Sequence, residues 1–395
     1  MMWYAYLCNV KVKRIVQLIL VDMGFTVSCR ALCSRLEAFV GATTVSSVPE
    51  FAHFFFFMDK GEQVLHVRAS NGEVVLQGEV PVTDVKGGFS ICMPARLLLS
   101  QLKLLPEQPL IFAIDRDSLK VTVSISNGEF SFMGCDPRNF PELDACKDGH
   151  STVSVSAKLL NAAIAKVISS VSVDTVRPAM TGVYFDFRAD GLNLVATNGQ
   201  RMAVAGLPQV SVSAPHSFIV GAKALVLLQK QLGQEEGDVT LANNEEHVWI
   251  TGAGFVLRSL LVGSRFPSYN SVIPKDMPNV TGLDRETLIG CIKRVVSFSM
   301  QLRIVKMVFE AGSLTLKADD ADFETHSVER FPLDGNYPNV RLCLNADYLI
   351  DYLSKMKSDQ VDMLVSTDQI RPVLLTPSQQ ADDMTVRFVL MKLAD

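Results

Sequence analysis

No C-x-x-C pair occurs among the eight cysteines (Cys8, Cys29, Cys33, Cys92, Cys135, Cys146, Cys291 and Cys343). That spacing argues against a zinc cage and a disulfide framework alike, and fits a reducing cytosol. Phosphate-cradling loops are missing too: there is no G-x-x-x-x-G-K-[ST] and no G-x-G-x-x-G after a strand. The chain lacks H-E-x-x-H and G-x-S-x-G, and its six histidines (His53, His66, His150, His216, His247, His326) are isolated. It also lacks an apolar run long enough to span a bilayer. Lys11, Lys13 and Arg14 precede the stretch Ile15 to Val21, which is short and has no small-x-small cleavage site before Asp22. Residues 1–22 therefore read as an extension outside the fold, and without a targeting signal the expected compartment is the cytoplasm. A wholesale basic coat is absent as well, since 37 Lys and Arg stand against 42 Asp and Glu, a net charge of −5. Neither a cofactor nor a metal is expected.

What the chain does have is repetition, which decides architecture before any motif does. Phe140-Pro141, Phe266-Pro267 and Phe331-Pro332 recur as landmarks, and the first two close segments of similar length. Each segment opens on a short β-type run: Phe25 to Ser28, Thr152 to Ser156, and more weakly Asn279 to Thr281. A helical stretch and several strands follow. Second halves begin at Phe89, Phe218 and Leu342 and repeat the plan, with turn residues such as Asn127-Gly128, Asn243-Asn244 and Gly252 between alternating runs. The expectation is an α+β fold of six helix-plus-strands half-units, each helix covering one face of an antiparallel sheet. Two half-units make a domain. The domains expected are 23–146, 150–273 and 275–395, with joints at Lys147-Asp148-Gly149 and Pro274 to Pro278.

The helices carry one sign of charge. In Ser156 to Ser169 the apolar stripe is Leu159/Leu160, Ala163/Ile164 and Val167/Ile168, and Lys158 and Lys166 fall opposite it. In Gly221 to Leu232 the stripe is Leu225, Leu228 and Leu232, with Lys223 and Lys230 away from it. Arg96 and Lys103 occupy matching offsets in Pro94 to Leu105, and Arg30 and Arg35 lie in Cys29 to Gly41 beside one acid, Glu37. An ordinary solvated face accounts equally well for any single helix. Across repeats, the shared sign points to one positive surface on an acidic protein. A duplex, with one phosphate charge per roughly 1.7 Å of axis, would be attracted there without being read. The third segment dilutes the pattern: Arg285, Lys293, Arg294, Lys355 and Lys357 are offset by Asp284, Glu286, Asp347, Asp351 and Asp359.

Little suggests catalysis. The acid groups Asp319-Asp320-Asp322 and Asp382-Asp383 read as solvated turns between strands, without a Ca-loop glycine and distal Glu. Phe54 to Phe57 reads as a buried strand, and His66 and His247 as strand histidines.

Several segments taken together resemble the bacterial DNA polymerase III beta subunit, the replicative sliding clamp. Leu194 to Val204 (LVATNGQRMAV), Arg265 to Pro274 (RFPSYNSVIP), Leu344 to Leu353 (LNADYLIDYL) and Thr367 to Val373 (TDQIRPV) carry the likeness, in the family's order and spacing. It extends from Met23 to the C-terminus. The resemblance implies a head-to-tail homodimer of three-domain protomers closed around double-stranded DNA, with helices lining the hole and strands outside. A heterologous interface of this kind closes only if the rotation per protomer is right. Contacts screened over roughly 8 Å would let such a ring slide. By resemblance Lys223 faces DNA and Arg177 lies in a loop that approaches it, although Pro178 and Ala179 replace the family's aromatic pair.

The resemblance also implies a pocket between domains two and three that takes short linear motifs from the replicative polymerase, clamp loader and repair polymerases. Its walls would be Met180, Thr197, Gly199, Arg201, Met202, Pro267, Val272, Leu302, Asn345, Tyr348, Ile370, Pro372, Met391, Lys392 and Leu393. Composition alone would make Met180, Met202 and Met391 plain core. The family's terminal MPMRL becomes Val389-Leu390-Met391-Lys392-Leu393, and Ser271 stands where many members carry Arg. For the dimer seam, Phe130 and Phe132 would meet Val296 and Phe298 of the partner protomer; burial within each domain is the competing reading. The expected function is a non-enzymatic processivity clamp of DNA replication. The rivals are a clamp-fold scaffold or paralogue that no longer encircles DNA, and a hydrolase or nuclease using the acidic turns.

Overall fold

The computed structural model describes residues 23–144, 146, 152–212, 214–274, 279–299, 303–320, 323–333, 339–368 and 370–394. The extension 1–22 and the joint residues 147–149 and 275–278 lie outside the described residues. Six half-units follow one another. The first holds β1 (Met23–Ser28), α1 (Cys29–Phe39), β2 (His53–Met58), β3 (Val64–Ser70), β4 (Val74–Pro81) and the short β5 (Thr83–Lys86). The second holds β6 (Phe89–Pro94), α2 (Ala95–Leu102), β7 (Pro109–Ile114), β8 (Lys120–Ile125) and β9 (Gly128–Met133). Next come β10 (Val153–Ser156), α3 (Ala157–Val167), β11 (Gly182–Arg188), β12 (Gly191–Thr197) and β13 (Arg201–Leu207). The fourth is β14 (His216–Gly221), α4 (Ala222–Leu232), β15 (Asp238–Asn243), β16 (His247–Thr251) and β17 (Phe255–Leu260). The fifth is β18 (Asn279–Asp284), α5 (Arg285–Val296), β19 (Ile304–Glu310), β20 (Ser313–Asp320) and β21 (Thr325–Pro332). The last is β22 (Val340–Asn345), α6 (Ala346–Lys355), β23 (Gln360–Leu364), β24 (Val373–Pro377) and β25 (Thr385–Leu390).

Three helices start where a strand stops because the strand's last residue doubles as a cap. Ser28, Asp284 and Asn345 accept from the backbone N–H three residues on, satisfying a donor that the first helical turn leaves open. Pro94 opens α2 without a side-chain cap.

Half-units exchange their opening strands. β1 pairs with β7 rather than β2, β6 with β2, β10 with β15, β14 with β11, β18 with β23 and β22 with β19. A half-unit is thus completed by its neighbour, with all ladders antiparallel. Two ladders then join sheets across the expected domains: β17 pairs β4, with Leu257 opposite Leu76, and β13 pairs β25, with Ala203 opposite Phe388. Contacts group the chain into two units, residues up to Ala157 with Val226–Leu260, and Lys158–Leu225 with the chain from Leu261.

In the first unit Phe25 stacks on Phe112 at 4.7 Å and on Phe89 at 5.5 Å, over buried Leu32, Leu36 and Phe39 of α1. In the second, Phe185 stacks on Phe218 at 5.3 Å and Tyr352 on Phe388 at 4.3 Å. The strand of phenylalanines has aromatics on both faces, not one buried run. Phe54 and Phe56 point into the core, while Phe55 and Phe57 lie under the Arg68 guanidinium at 5.5 and 5.1 Å. Asp319 and Asp320 also correct the sequence reading, since they end β20 itself and Asp320 is buried. Asp322 lies outside the described residues.

Candidate functional site

An apolar pocket of about 140 Å³ opens in the second unit. Its first wall is the turn between β12 and β13. Thr197 Oγ1 accepts from the Gly199 N–H at 3.1 Å and donates to the Arg201 carbonyl at 2.8 Å. Asn198 Oδ1 takes the N–H groups of Gln200 and Arg201 at 3.0 and 2.9 Å. Gly199 has φ +89°, a left-handed conformation that a side chain at this position would strain. The second wall is Phe266 to Tyr269 with Val272. Tyr184 stacks on Phe266 at 4.7 Å, and the Tyr269 hydroxyl donates to Asp186 Oδ2 at 2.7 Å. Val389 of β25 and Met391 beyond it form the third, and the Met391 N–H donates to the Gln200 carbonyl at 2.9 Å. Met180, Met202 and Met391 all face the cavity. Thioethers are polarisable and adapt to differently shaped aliphatic or aromatic groups.

A wetter cavity adjoins it, lined by Ser169, Val171, Ser172, Val173, Arg177, Asn198 and Tyr348 and sharing Gly199, Gln200 and Arg201 with the first. Arg201 is the common wall. Its guanidinium lies 4.2 Å over the Tyr348 ring, pairs with Asp351 Oδ2 at 2.9 Å and donates to the Ser169 carbonyl. Lys355 also pairs with Asp351, at 3.1 Å, and burial lowers its ammonium pKa. The same burial raises the Tyr352 hydroxyl.

Of the residues expected to form the pocket, the structure brings eight to one cavity: Met180, Thr197, Gly199, Arg201, Met202, Pro267, Val272 and Met391. Tyr348 lines the neighbouring one. Asn345 corrects its assignment as wall: its carboxamide caps α6 by accepting the Tyr348 N–H at 2.9 Å, so it acts by placing Tyr348. Ile370 is 83% exposed and Pro372 lies outside the lining, so neither is a wall. Lys392 is turned away as well, donating to the Asp368 carbonyl at 2.7 Å and to that of Ser366. Leu393 is held by a backbone bond to Cys343 at 2.8 Å. Leu302 lies outside the described residues. Sequence reasoning missed Gln200, Phe266, Ser268, Tyr269 and Val389. Three of these sit inside the RFPSYN segment it had singled out.

Among the helix cations, Arg30, Arg96, Lys158, Lys223 and Lys230 are exposed. Lys103 is exposed but pairs with Glu37 at 2.6 Å, and Arg177 pairs with Asp174 at 3.2 Å. Two expected cations are corrected. Arg35 folds back over the Phe39 ring at 5.6 Å, into space left by Gly78 and Gly254, and burial lowers its pKa. Lys166 is half-buried and donates to the Lys355 carbonyl, its pKa lowered first by burial and then by Lys357 and Lys355. At the expected seam Val296 is corrected too, being 1% exposed on the buried face of α5, whereas Phe298 just beyond it is 49% exposed. Phe130 and Phe132 lie on β9, which ends its sheet; Phe130 is part-exposed there, whereas Phe132 is buried within the protomer, which corrects its assignment to the seam.

Among the described residues no group of His, Cys, Asp and Glu is arranged to hold a metal, and no helix is long and apolar enough to cross a membrane. Paired, strand-exchanged half-units with basic helix faces and an apolar pocket define a clamp-type scaffold. Residues 154–268 match the family described as DNA polymerase III beta subunit, central domain, and 270–393 match its C-terminal domain. The chain belongs to the DNA polymerase III beta subunit family, and its function is that of a sliding clamp in DNA replication. It is 26% identical over 376 residues to the beta sliding clamp of Pseudomonas putida, covering 93% of this chain and 99% of that one. With the beta sliding clamp of Pseudomonas aeruginosa it shares 25% over 371 residues, 93% of this chain and 99% of that one. A crystal structure of the Pseudomonas aeruginosa sliding clamp bound to griselimycin matches with TM-score 0.88 at 24% identity, covering 95% of this chain and all of that one.

Proposed function

We propose that this clamp is a head-to-tail homodimer of three-domain protomers (23–146, 150–273, 275–395) that encircles duplex DNA and performs no chemistry of its own. The observation that carries this reading is a pair of unfilled edges. Fourth strands of first half-units join last strands of second half-units twice within the chain, as β4·β17 and β13·β25. Only β21 and β9 of that set have no such partner among the described residues. A second copy supplies both. Both internal joints share one register: Val75 faces Arg258 and Met202 faces Val389, while Thr325 occupies the ladder position of Val75 and Met202. Carried to the third joint, that register sets Ser131 opposite the partner's Thr325 and Phe130 opposite the partner's His326. Regular repetition of joints is what lets a heterologous contact close instead of growing a filament.

The exposed cations Arg30, Arg96, Lys158, Lys223 and Lys230, with Arg177 and Lys103, would attract the phosphate backbone without reading sequence. The methionine-lined pocket would hold short linear motifs of the replicative polymerase and its accessory factors, tethering them to the ring. The griselimycin complex of the Pseudomonas aeruginosa clamp supports a ligand pocket on this fold. The compartment proposed is the cytoplasm, where replication takes place.

A double variant, Ser131→Cys with Thr325→Cys, tests the register. Mild oxidation should yield a covalent dimer of twice 43.4 kDa on a denaturing gel. A chain that elutes as a monomer and stays uncrosslinked would remove the ring.

A further inference from the structure

Between β6 and the residue just past β9 the chain makes an isolated antiparallel bridge, and both of its residues are cysteines, Cys92 and Cys135. Each backbone N–H donates to the other's carbonyl at 2.9 Å. Residues opposed in this way have Cα atoms about 5.5 Å apart and side chains on the same face. That separation lies within the range disulfides occupy, while the paired Cβ atoms sit wider than the usual 3.5–4.5 Å or so, so a bond here would be strained and easily reduced. Both thiols are free, and they hydrogen-bond to one another. Gly134 fixes the approach, because a Cβ there would fall 2.6 Å from Ile91 Cδ1. No other described cysteine has a cysteine as its ladder partner.

We propose that Cys92 and Cys135 form a reversible disulfide when a peroxide is present, tying β6 to the end of β9. Cys92 is fully buried and Cys135 partly exposed, so the oxidant reaches Cys135 first. Its sulfur takes one oxygen from the peroxide, giving a sulfenic acid and one water. The Cys92 sulfur then attacks, the S–S bond forms and the hydroxyl leaves as a second water. Two thiols have lost two protons and two electrons, and hydrogen peroxide has become two waters. Burial raises both thiols above the usual cysteine range, so little thiolate is present and the oxidation is slow. Because the link ends two residues past Met133, Phe132 and its neighbours would be held more firmly at the sheet edge. That consequence rests on the seam proposed above; the disulfide does not.

The test treats the reduced full-length protein with hydrogen peroxide and maps thiols by mass spectrometry of a non-reducing digest. A Cys92–Cys135 linked peptide should dominate, disappear with dithiothreitol, and be absent from Cys135→Ser and from Cys135→Ala, the second variant guarding against misfolding of the first. Cys135 oxidised to sulfinic acid with Cys92 still a thiol, or a link formed elsewhere, overturns the proposal. Subunit exchange of the linked protein should be at least about threefold slower than that of the reduced protein. An unchanged rate with the link in place would refute the seam and leave the disulfide standing.

Discussion

Arg201 shows how one side chain can define two cavities at once. Its ring contact with Tyr348 and its pair with Asp351 fix the wall, and the turn before it is fixed by Thr197, Asn198 and Gly199. The adaptable part of the site is sulfur. Met391→Ala should weaken binding of a short peptide with aliphatic and aromatic anchors by about 1–2 kcal/mol, roughly 5- to 30-fold, measured by fluorescence anisotropy. Ile370→Ala, at a fully solvated position, should leave that affinity unchanged. Most of the pocket was legible because motif residues fall together on β12, β13 and the RFPSYN segment. Tyr269 was not, because only folding brings its hydroxyl to Asp186 and turns its ring into the wall. Lys166 and Arg35 mislead for a related reason: long aliphatic stems allow a residue on a polar helix face to fold back to a carbonyl or a ring.

Helix starts are set by single caps, and their energies can be read. Asp284 accepts from Thr287 at 2.7 Å, and that residue's side-chain and then backbone hydrogen bonds hold the carboxyl below its usual range. A depressed carboxylate adds stability above its unfolded pKa and loses it as pH falls through the folded value. Asp284→Ala should therefore lower the unfolding free energy at neutral pH by about 1 kcal/mol, and the gap should shrink on acidification, followed by urea midpoints. At the end of the same helix, Val296→Ala should cost roughly 2 kcal/mol by emptying packed core, whereas Phe298→Ala should leave stability within about 0.5 kcal/mol. Helices and strands were readable from periodicity. Strand exchange was not, because alternation tells a strand which face is buried but not which sheet it joins.

The count of half-units is what the sequence conveys most firmly at the scale of the molecule, since the β-type openings at Phe25, Thr152, Asn279, Phe89, Phe218 and Leu342 mark it without any structure. Which edges remain open appears only once β17 is seen on β4 and β25 on β13. Among the described residues β9 and β21 end their sheets, and these two ends of matching kind are what support the proposed second copy. Replacing Phe130, part-exposed on β9, by Asp should shift the protein toward monomer in analytical ultracentrifugation, because a charge would be placed on a sheet edge that the proposed ring buries. The central claim is topological linkage to DNA by a protein of net charge −5, held by enclosure more than by affinity. Loading the reduced Ser131→Cys, Thr325→Cys protein onto a nicked circular plasmid, crosslinking it there by mild oxidation and then washing at high salt measures this directly. Protein closed around the circle should be retained until the plasmid is linearised and then slide off. Loss from the intact circle at high salt, or retention on the linear form, would contradict it.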